Sequence, residues 1–255
     1  MGDEGLYRYE IEDGIAVFYM DRPPVNAVVI ELLKQVTEGL GRLESDASVR
    51  SVVLTGAGPC FSAGLDLKVI PSYNRSQQLE LVNSLNRLLG YLYAFPKPTV
   101  AAVNGHAIAG GFFPVIACDW RVCADAACGL GLTEALLGLT FPLSCMELLW
   151  AELTGQVTRR LVLTGRVFSP AEALEMGIVD ELQPPGFFLE RAREVASELG
   201  RLPRGGYGRL KRQLRQAPLA RIEAAVREGV DSQMDDNWMT EEAREAAEAL
   251  LRHNK

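Results

Sequence analysis

Two apolar runs, each ending in a glycine-bearing segment, constrain this 255-residue chain more than any other feature. Ser51-Val52-Val53-Leu54-Thr55 leads into Phe61-Ser62-Ala63-Gly64-Leu65-Asp66-Leu67. Thr99-Val100-Ala101-Ala102-Val103 leads into Asn104-Gly105-His106-Ala107-Ile108-Ala109-Gly110-Gly111. Short continuous apolar runs read as strands buried on both faces, so each segment sits where a buried strand ends. Backbone N–H groups freed there are available to a pocket, and two of them aimed at one point make an oxyanion hole. A tight turn that needs glycine for its backbone angles would account for Gly64 alone. It does not account for the same device recurring 45 residues later, from Leu65 to Gly110.

Between and around these runs the pattern alternates. Tyr7–Ile11 and Ile15–Met20, joined across Glu12-Asp13-Gly14, read as a hairpin. Helical spacing places Val29, Leu32, Leu33, Val36, Leu40 and Leu43 on one face between about Val28 and Leu43, and a second helix spans Ser76 to Leu92 before Pro96-Lys97-Pro98. Strand, loop and helix in alternation predict an α/β fold with largely parallel strands. Short elements follow at Trp120–Cys123, Leu143–Leu153, Val157–Leu163, Pro170–Met176 and Val179–Leu182. After about Pro184 only helices remain, at Phe188–Leu199, Tyr207–Gln216, Leu219–Met234 and Glu241–Leu251. The expected division is a core over residues 1–185 that carries the site and a helical region over 186–255.

The third chemical element is Glu134, in Leu132-Thr133-Glu134-Ala135-Leu136-Leu137-Gly138. A salt bridge or a helix N-terminus would suit an ordinary glutamate. A carboxylate shielded from water by such apolar neighbours has a raised pKa and is a stronger base near neutral pH. Gly110 is expected to open a helix running to about Cys118, with Pro114 in its first turn. Its amide would then lie at the positive end of the helix. Gly111 is expected to leave room for substrate, and Asp66 to cap a following helix through Leu67 and Lys68.

Composition narrows the partners. A formal net charge of −7 gives no support for nucleic-acid or anionic-membrane binding, so a phosphate-bearing ligand must find local basic groups. The five cysteines, Cys60, Cys118, Cys123, Cys128 and Cys145, form no CxxC pair and sit largely among apolar neighbours, as reduced thiols do. Only two histidines occur, so no zinc site is expected, and His106 reads as structural. No apolar run approaches a membrane span, the N-terminus lacks the pattern of a secretory signal, and the cytoplasm is the default compartment.

These residues resemble the crotonase (enoyl-CoA hydratase/isomerase) superfamily, from Asp21-Arg22-Pro23-Pro24-Val25-Asn26-Ala27 through Gly177-Ile178-Val179-Asp180. Gly131 to Asp180 is similar to the Δ3,Δ2-enoyl-CoA isomerases in particular. The resemblance implies a crotonase-like spiral core of ββα units with a C-terminal all-helical region. It also implies that the amides of Leu65 and Gly110 hold a thioester oxygen and that Glu134 is the catalytic base. Ala63, Gly64, Leu65, Asp66, Leu67 and Gly110 would line the coenzyme A thioester site. Hydratases of the superfamily carry a second glutamate where this chain has Phe113, and offer a backbone N–H to water where it has Pro142. Both departures favour moving a proton within the substrate over adding water.

The implied reaction is isomerisation of 3-enoyl-CoA to 2-enoyl-CoA, with no metal or redox cofactor and coenzyme A present only as part of the substrate. A hydratase, a thioester hydrolase and an inactive acyl-CoA-binding scaffold are the alternatives. Tyr91, Tyr93 and Phe95 read as packing residues, and the basic run Arg201, Arg204, Arg209, Lys211, Arg212 and Arg215 as a solvated face or a source of phosphate contacts. The resemblance further implies a homotrimer or a dimer of trimers. An apolar stripe at Ala243, Ala246, Ala247, Leu250 and Leu251, beside Met234, Trp238 and Met239, would be covered at subunit contacts.

Overall fold

Asp13 and Gly14 both have positive φ, 50° and 79°, the geometry of the tight turn that matches strand twist. They join β2 (Tyr7–Glu12) to β3 (Ile15–Met20) in the antiparallel hairpin the alternation predicts. The computed structural model describes residues 2–3, 5–229, 231 and 238–253, with the backbone alone at 2, 3 and 253. Met234, Asp235, Asp236 and Asn237, with the end of the helix expected up to Met234, lie outside the described residues.

β1 (Gly2–Asp3) edges the hairpin, and α1 (Ile30–Ser45) follows it. The helix begins at Ile30 because Val28 is held as a strand bridge to Leu65. Its expected stripe, Leu32, Leu33, Val36, Leu40 and Leu43, is buried. A Cβ on Gly39 would lie 2.6 Å from the Tyr7 ring and 2.7 Å from Phe18, so this glycine lets α1 sit directly on the hairpin. Next come β4 (Ser51–Gly56), α2 (Arg75–Tyr93) and β5 (Thr99–Val103). Asn74 and Gln77 form a reciprocal capping box that fixes where α2 starts.

The chain continues through β6 (Ala107–Ile108), α3 (Phe113–Ala117), β7 (Trp120–Ala124), β8 (Leu130–Gly131) and α4 (Glu134–Leu137). It goes on through α5 (Leu143–Glu152), α6 (Gly155–Thr164), β9 (Val167–Phe168), α7 (Pro170–Glu175) and β10 (Glu181–Gln183). It ends with α8 (Phe188–Gly200), α9 (Arg204–Leu214), α10 (Gln216–Glu228) and α11 (Glu241–His253).

The larger sheet has the order β1-β2-β3-β4-β5-β7-β10, parallel from β3 onward. Every residue of β4 and β5 is buried, which is why these strands read as unbroken apolar runs. On one face Val17, Val53, Val100 and Val122 pack against Ala192, Val195 and Ala196 of α8. On the other lies the main core, with Phe18, Leu54, Leu89 and Phe112 among its residues. The C-terminal helices therefore complete the core of their own chain. α11 packs by α4, and its Ala243 and Ala247 are buried within this chain. Of the apolar stripe expected to need another subunit, Ala243 and Ala247 are covered within the chain, and Ala246, Leu250 and Leu251 stay half-buried.

Among the described residues no helix is long and apolar enough to cross a membrane.

Candidate active site

Strand register assembles the site. β4 and β5 are parallel neighbours, with Val52 opposite Thr99 and Leu54 opposite Ala101, so both glycine segments leave the same edge of the sheet. A parallel bridge then pairs Ser62 with Ala107, and β6 pairs in parallel with β8, Ala107 opposite Leu130. Leu65 lies three residues past Ser62, Gly110 three past Ala107, and Glu134 four past Leu130. Three parallel tracks in register thus deliver the three candidate residues to one place.

The amides of the first segment alternate in direction. Asp66 N donates to Val28 O at 3.0 Å, and Gly64 O accepts from Val28 N at 2.7 Å. The Leu65 N–H between them points the other way. Among the described residues neither the Leu65 nor the Gly110 amide has a hydrogen-bond partner. The two lie side by side, since a Cβ on Gly110 would sit 3.9 Å from the Leu65 nitrogen. Two unpaired amides side by side can donate together to one acceptor oxygen, the arrangement that an oxyanion site needs.

Gly64, at φ 77°, is required twice over: a Cβ there would lie 2.6 Å from Ile108 O and 3.1 Å from Gly110 N. Ala109 also adopts a left-handed φ, 51°, beside Gly110, and such strain concentrates at functional sites. Two expectations are corrected here. Gly110 opens no continuous helix to Cys118; it lies in a 3₁₀ turn, Ala109–Gly111, before the five-residue α3. So short a helix adds little dipole, and the site rests on its two amides. Gly111 makes room for the chain rather than for substrate, because a Cβ there would meet Ser62 Oγ at 2.5 Å.

Glu134 is the first residue of α4, a single turn ended by Gly138 at φ 66°. It is 5% exposed, and its Oε2 has no hydrogen-bond partner. Burial raises its pKa from 4.5 to about 7, opposed more weakly by backbone hydrogen bonds at Glu134 and Thr133. Cys145 lines a cavity together with Glu134; burial first, and then the Glu134 charge, hold its thiol well above the usual range, so it stays protonated at neutral pH.

The two positions where the resemblance implies water-holding groups in hydratases are apolar here. Phe113 is 1% exposed and packs edge-on against Phe112 and Phe141. Pro142, without an N–H, precedes α5. Among the described residues no cluster of three or more His, Cys, Asp or Glu side chains is placed to hold a metal.

Two cavities meet at these residues. The outer one, about 520 Å³, runs between the first glycine segment, α4 and α11 and is lined by Ala63, Leu65, Asp66, Leu67, Lys68 and Glu134 among others. The inner one, about 20 Å³, is lined by Leu65, Gly110, Phe113, Glu134, Phe141 and Trp238 among others. Gly64 supports the pair of amides from behind.

Other expectations resolve by contact. Asp66 caps no α-helix: it accepts from Lys68 N at 3.0 Å in a turn and pairs with Arg22 at 2.7 Å. His106 is exposed, and its Nδ1 accepts from Gly129 N at 3.1 Å, a structural role. Tyr93 and Phe95 are buried packing residues, as read from the sequence, and Tyr91 bonds Glu44. The basic run is not a solvated face throughout. Lys211 and Arg215 are buried, each 2.9 Å from Asp119, Arg212 pairs with Glu223, and Arg204 donates to Ala47 O. None of the six lines either cavity at Glu134.

Asn26 was missed by sequence reasoning beyond its place in the matching segment. Its buried side chain donates to Ala57 O at 2.9 Å and Cys60 O at 2.8 Å and accepts from Arg22 N. It clamps the loop that carries Leu65. Trp238, Leu250 and Leu251, in the region expected to serve subunit contacts, line the site. Only long-range packing reveals them.

The family model for enoyl-CoA hydratase/isomerase matches residues 10–253. The chain is similar to the mouse protein named enoyl-CoA delta isomerase 1, mitochondrial, at 35% identity over 206 residues, 80% of this chain and 71% of that protein. It is similar to hydroxycinnamoyl-CoA hydratase-lyase of Pseudomonas fluorescens at 36% identity, covering 76% of this chain and 71% of the relative. The crystal structure of human mitochondrial delta3-delta2-enoyl-CoA isomerase superposes with a TM-score of 0.88 at 28% identity over 98% of each chain. Core and C-terminal helices therefore follow the crotonase fold throughout, and the chain belongs to the enoyl-CoA hydratase/isomerase family.

Proposed function

We propose that this protein is an enzyme acting on coenzyme A thioesters that isomerises 3-enoyl-CoA to 2-enoyl-CoA. Family membership and the isomerase names among its relatives support the class. The observation that carries the specific reaction is a solitary buried carboxyl, Glu134, facing two free amides, with Phe113 and Pro142 where water would need holding.

The thioester oxygen docks against the Leu65 and Gly110 amides, which acidifies the C2 protons by stabilising the enolate form. Glu134 removes a C2 proton, and the dienolate spreads its charge to the oxygen and to C4. The same carboxyl, now protonated, returns the proton at C4. A base with a pKa of about 7 suits both halves, since it is strong enough to take a proton and acidic enough to give it back at neutral pH. The dry wall around it keeps the proton from solvent. Conjugation of the double bond with the carbonyl supplies the driving force.

Hydrolysis would need a held water, and scaffold status would leave the free amides and the desolvated acid without use. A trimer or pair of trimers is the proposed assembly. Its support comes from the half-buried Ala246, Leu250 and Leu251 of α11 and from exposed leucines elsewhere, Leu163, Leu210 and Leu214, at 70%, 67% and 84%.

The test is to supply 3-enoyl-CoA and 2-enoyl-CoA separately and identify the products. Isomerisation is expected to exceed hydration by at least about tenfold, about 1.4 kcal/mol in barrier. Comparable rates, or more hydration, would sink the assignment.

A further inference from the structure

We infer that the site is built for short acyl chains, and that Trp238 sets the limit. This rests on the isomerase reading of the same site and names its substrate class. The outer cavity is wide, about 520 Å³, and carries the charged pair of neighbours Asp66 and Lys68, which suits the polar coenzyme. The acyl chain must then pass the Leu65 and Gly110 amides and Glu134 into the inner cavity. That cavity is only about 20 Å³, and its far walls are Leu81, Leu85, Phe113, Phe141 and Trp238.

A space that size holds about one water molecule. With C1 at the amides and C2 to C4 beside the carboxyl, about one or two further carbons fit, giving acyl chains of up to about six carbons.

The wall does not yield cheaply. Trp238 is 7% exposed, and its Nε1 donates to Thr140 O at 2.9 Å. The adjoining Met239 is fully buried, with its N–H donating to Gln78 Oε1 at 3.1 Å. Phe141 is braced by the Phe113 ring at 6.0 Å between centroids. Moving the indole aside would break a partly buried hydrogen bond and disturb a close-packed wall.

The experiment is to measure kcat/KM on 3-butenoyl-, 3-hexenoyl-, 3-octenoyl- and 3-decenoyl-CoA for the full-length protein, Trp238→Ala and Trp238→Phe. Hexanoyl-CoA and decanoyl-CoA binding is measured in parallel by calorimetry. The unsubstituted protein is expected to process 3-decenoyl-CoA at least about tenfold less efficiently than 3-hexenoyl-CoA. Trp238→Ala should bring that ratio within about threefold, mainly through KM, with Trp238→Phe between. Near-equal efficiency on both chains in the unsubstituted protein would overturn the limit. A ratio unchanged in both variants would overturn the role of Trp238. If no 3-enoyl-CoA is turned over but hexanoyl-CoA binds at least about tenfold more tightly than decanoyl-CoA, the chain limit stands and the isomerase reading falls.

Discussion

Replacing Glu134 with glutamine should raise the stability of the protein while removing its activity, and the gain should depend on pH in a defined direction. Unfolded, Glu134 ionises near its ordinary 4.5; folded, burial holds it at about 7. Between those values the folded chain keeps a proton that the unfolded chain has released. The native state is therefore progressively penalised as pH rises from about 4.5 to about 7, and the penalty is complete above that. At about 1.4 kcal/mol for each pH unit between the two values, ionised Glu134 costs the fold about 3 kcal/mol at pH 8.5 and little at pH 5.

Glu134→Gln removes the titration. Any loss from an imperfectly bonded amide is the same at both pH values and cancels in the comparison. With an unfolding entropy of about 2.1 cal/mol/K per residue, about 3 kcal/mol corresponds to a rise of about 6 °C in melting temperature for a chain this long. Thermal unfolding of both proteins at pH 5 and 8.5 reads this out. The variant should gain several degrees on the parent between the two conditions, and its turnover should fall by about 10²–10⁴-fold. A melting difference independent of pH would refute the desolvated-acid account. A variant that keeps more than half its turnover would move the catalytic role elsewhere.

Four further outcomes follow from the same geometry. The pH profile of kcat/KM should rise through an apparent pKa near 7, because the free enzyme needs Glu134 ionised, and a profile flat from pH 5.5 to 8.5 would contradict this. Gly110→Ala should fold, since its Cβ would meet nothing closer than 3.8 Å, yet lose about 10²-fold or more in kcat by crowding the amide pair, whereas Gly111→Ala should destabilise the protein by about 1–3 kcal/mol through its clash with Ser62, as denaturant titrations of both will show. Lys211→Met should cost about 1–3 kcal/mol of stability, the worth of its hydrogen bonds to a carboxylate that Arg215 still pairs, and leave KM for the thioester unchanged; a KM effect without a stability effect would restore the basic run as a phosphate site. Sedimentation should give a mass near three or six times 27.9 kDa, and a monomer at micromolar concentration would remove the assembly proposal.

The meeting of Leu65, Gly110 and Glu134 at one cavity was legible in the sequence because its signals are local. Leu65, Gly110 and Glu134 each follow a short apolar strand at a fixed spacing, and parallel pairing at Ser62, Ala107 and Leu130 turns that spacing into proximity. The rest depends on what packs against what, which periodicity does not encode. The stripe on α11 announced an apolar face, but Ala243 and Ala247 find their cover within the chain. The run from Arg201 to Arg215 announced charge, yet Lys211 and Arg215 are drawn inside by Asp119, far along the chain. Gly111 and Gly110 look alike in sequence, and only the neighbour each faces, Ser62 or the Leu65 amide, separates the glycine packed against the chain from the one that borders the cavity. Trp238 reaches the site across nearly 100 residues through the Thr140 carbonyl, a contact with no local signature.

The central claim, that one carboxyl carries a proton from C2 to C4 in a water-poor site, is tested most directly by the fate of a label. A 3-enoyl-CoA deuterated at C2 should give early-turnover 2-enoyl-CoA with a measurable share of that deuterium at C4, lost altogether with the activity in Glu134→Gln. Product whose new C4 hydrogen comes wholly from solvent from the first turnover onward would contradict the claim.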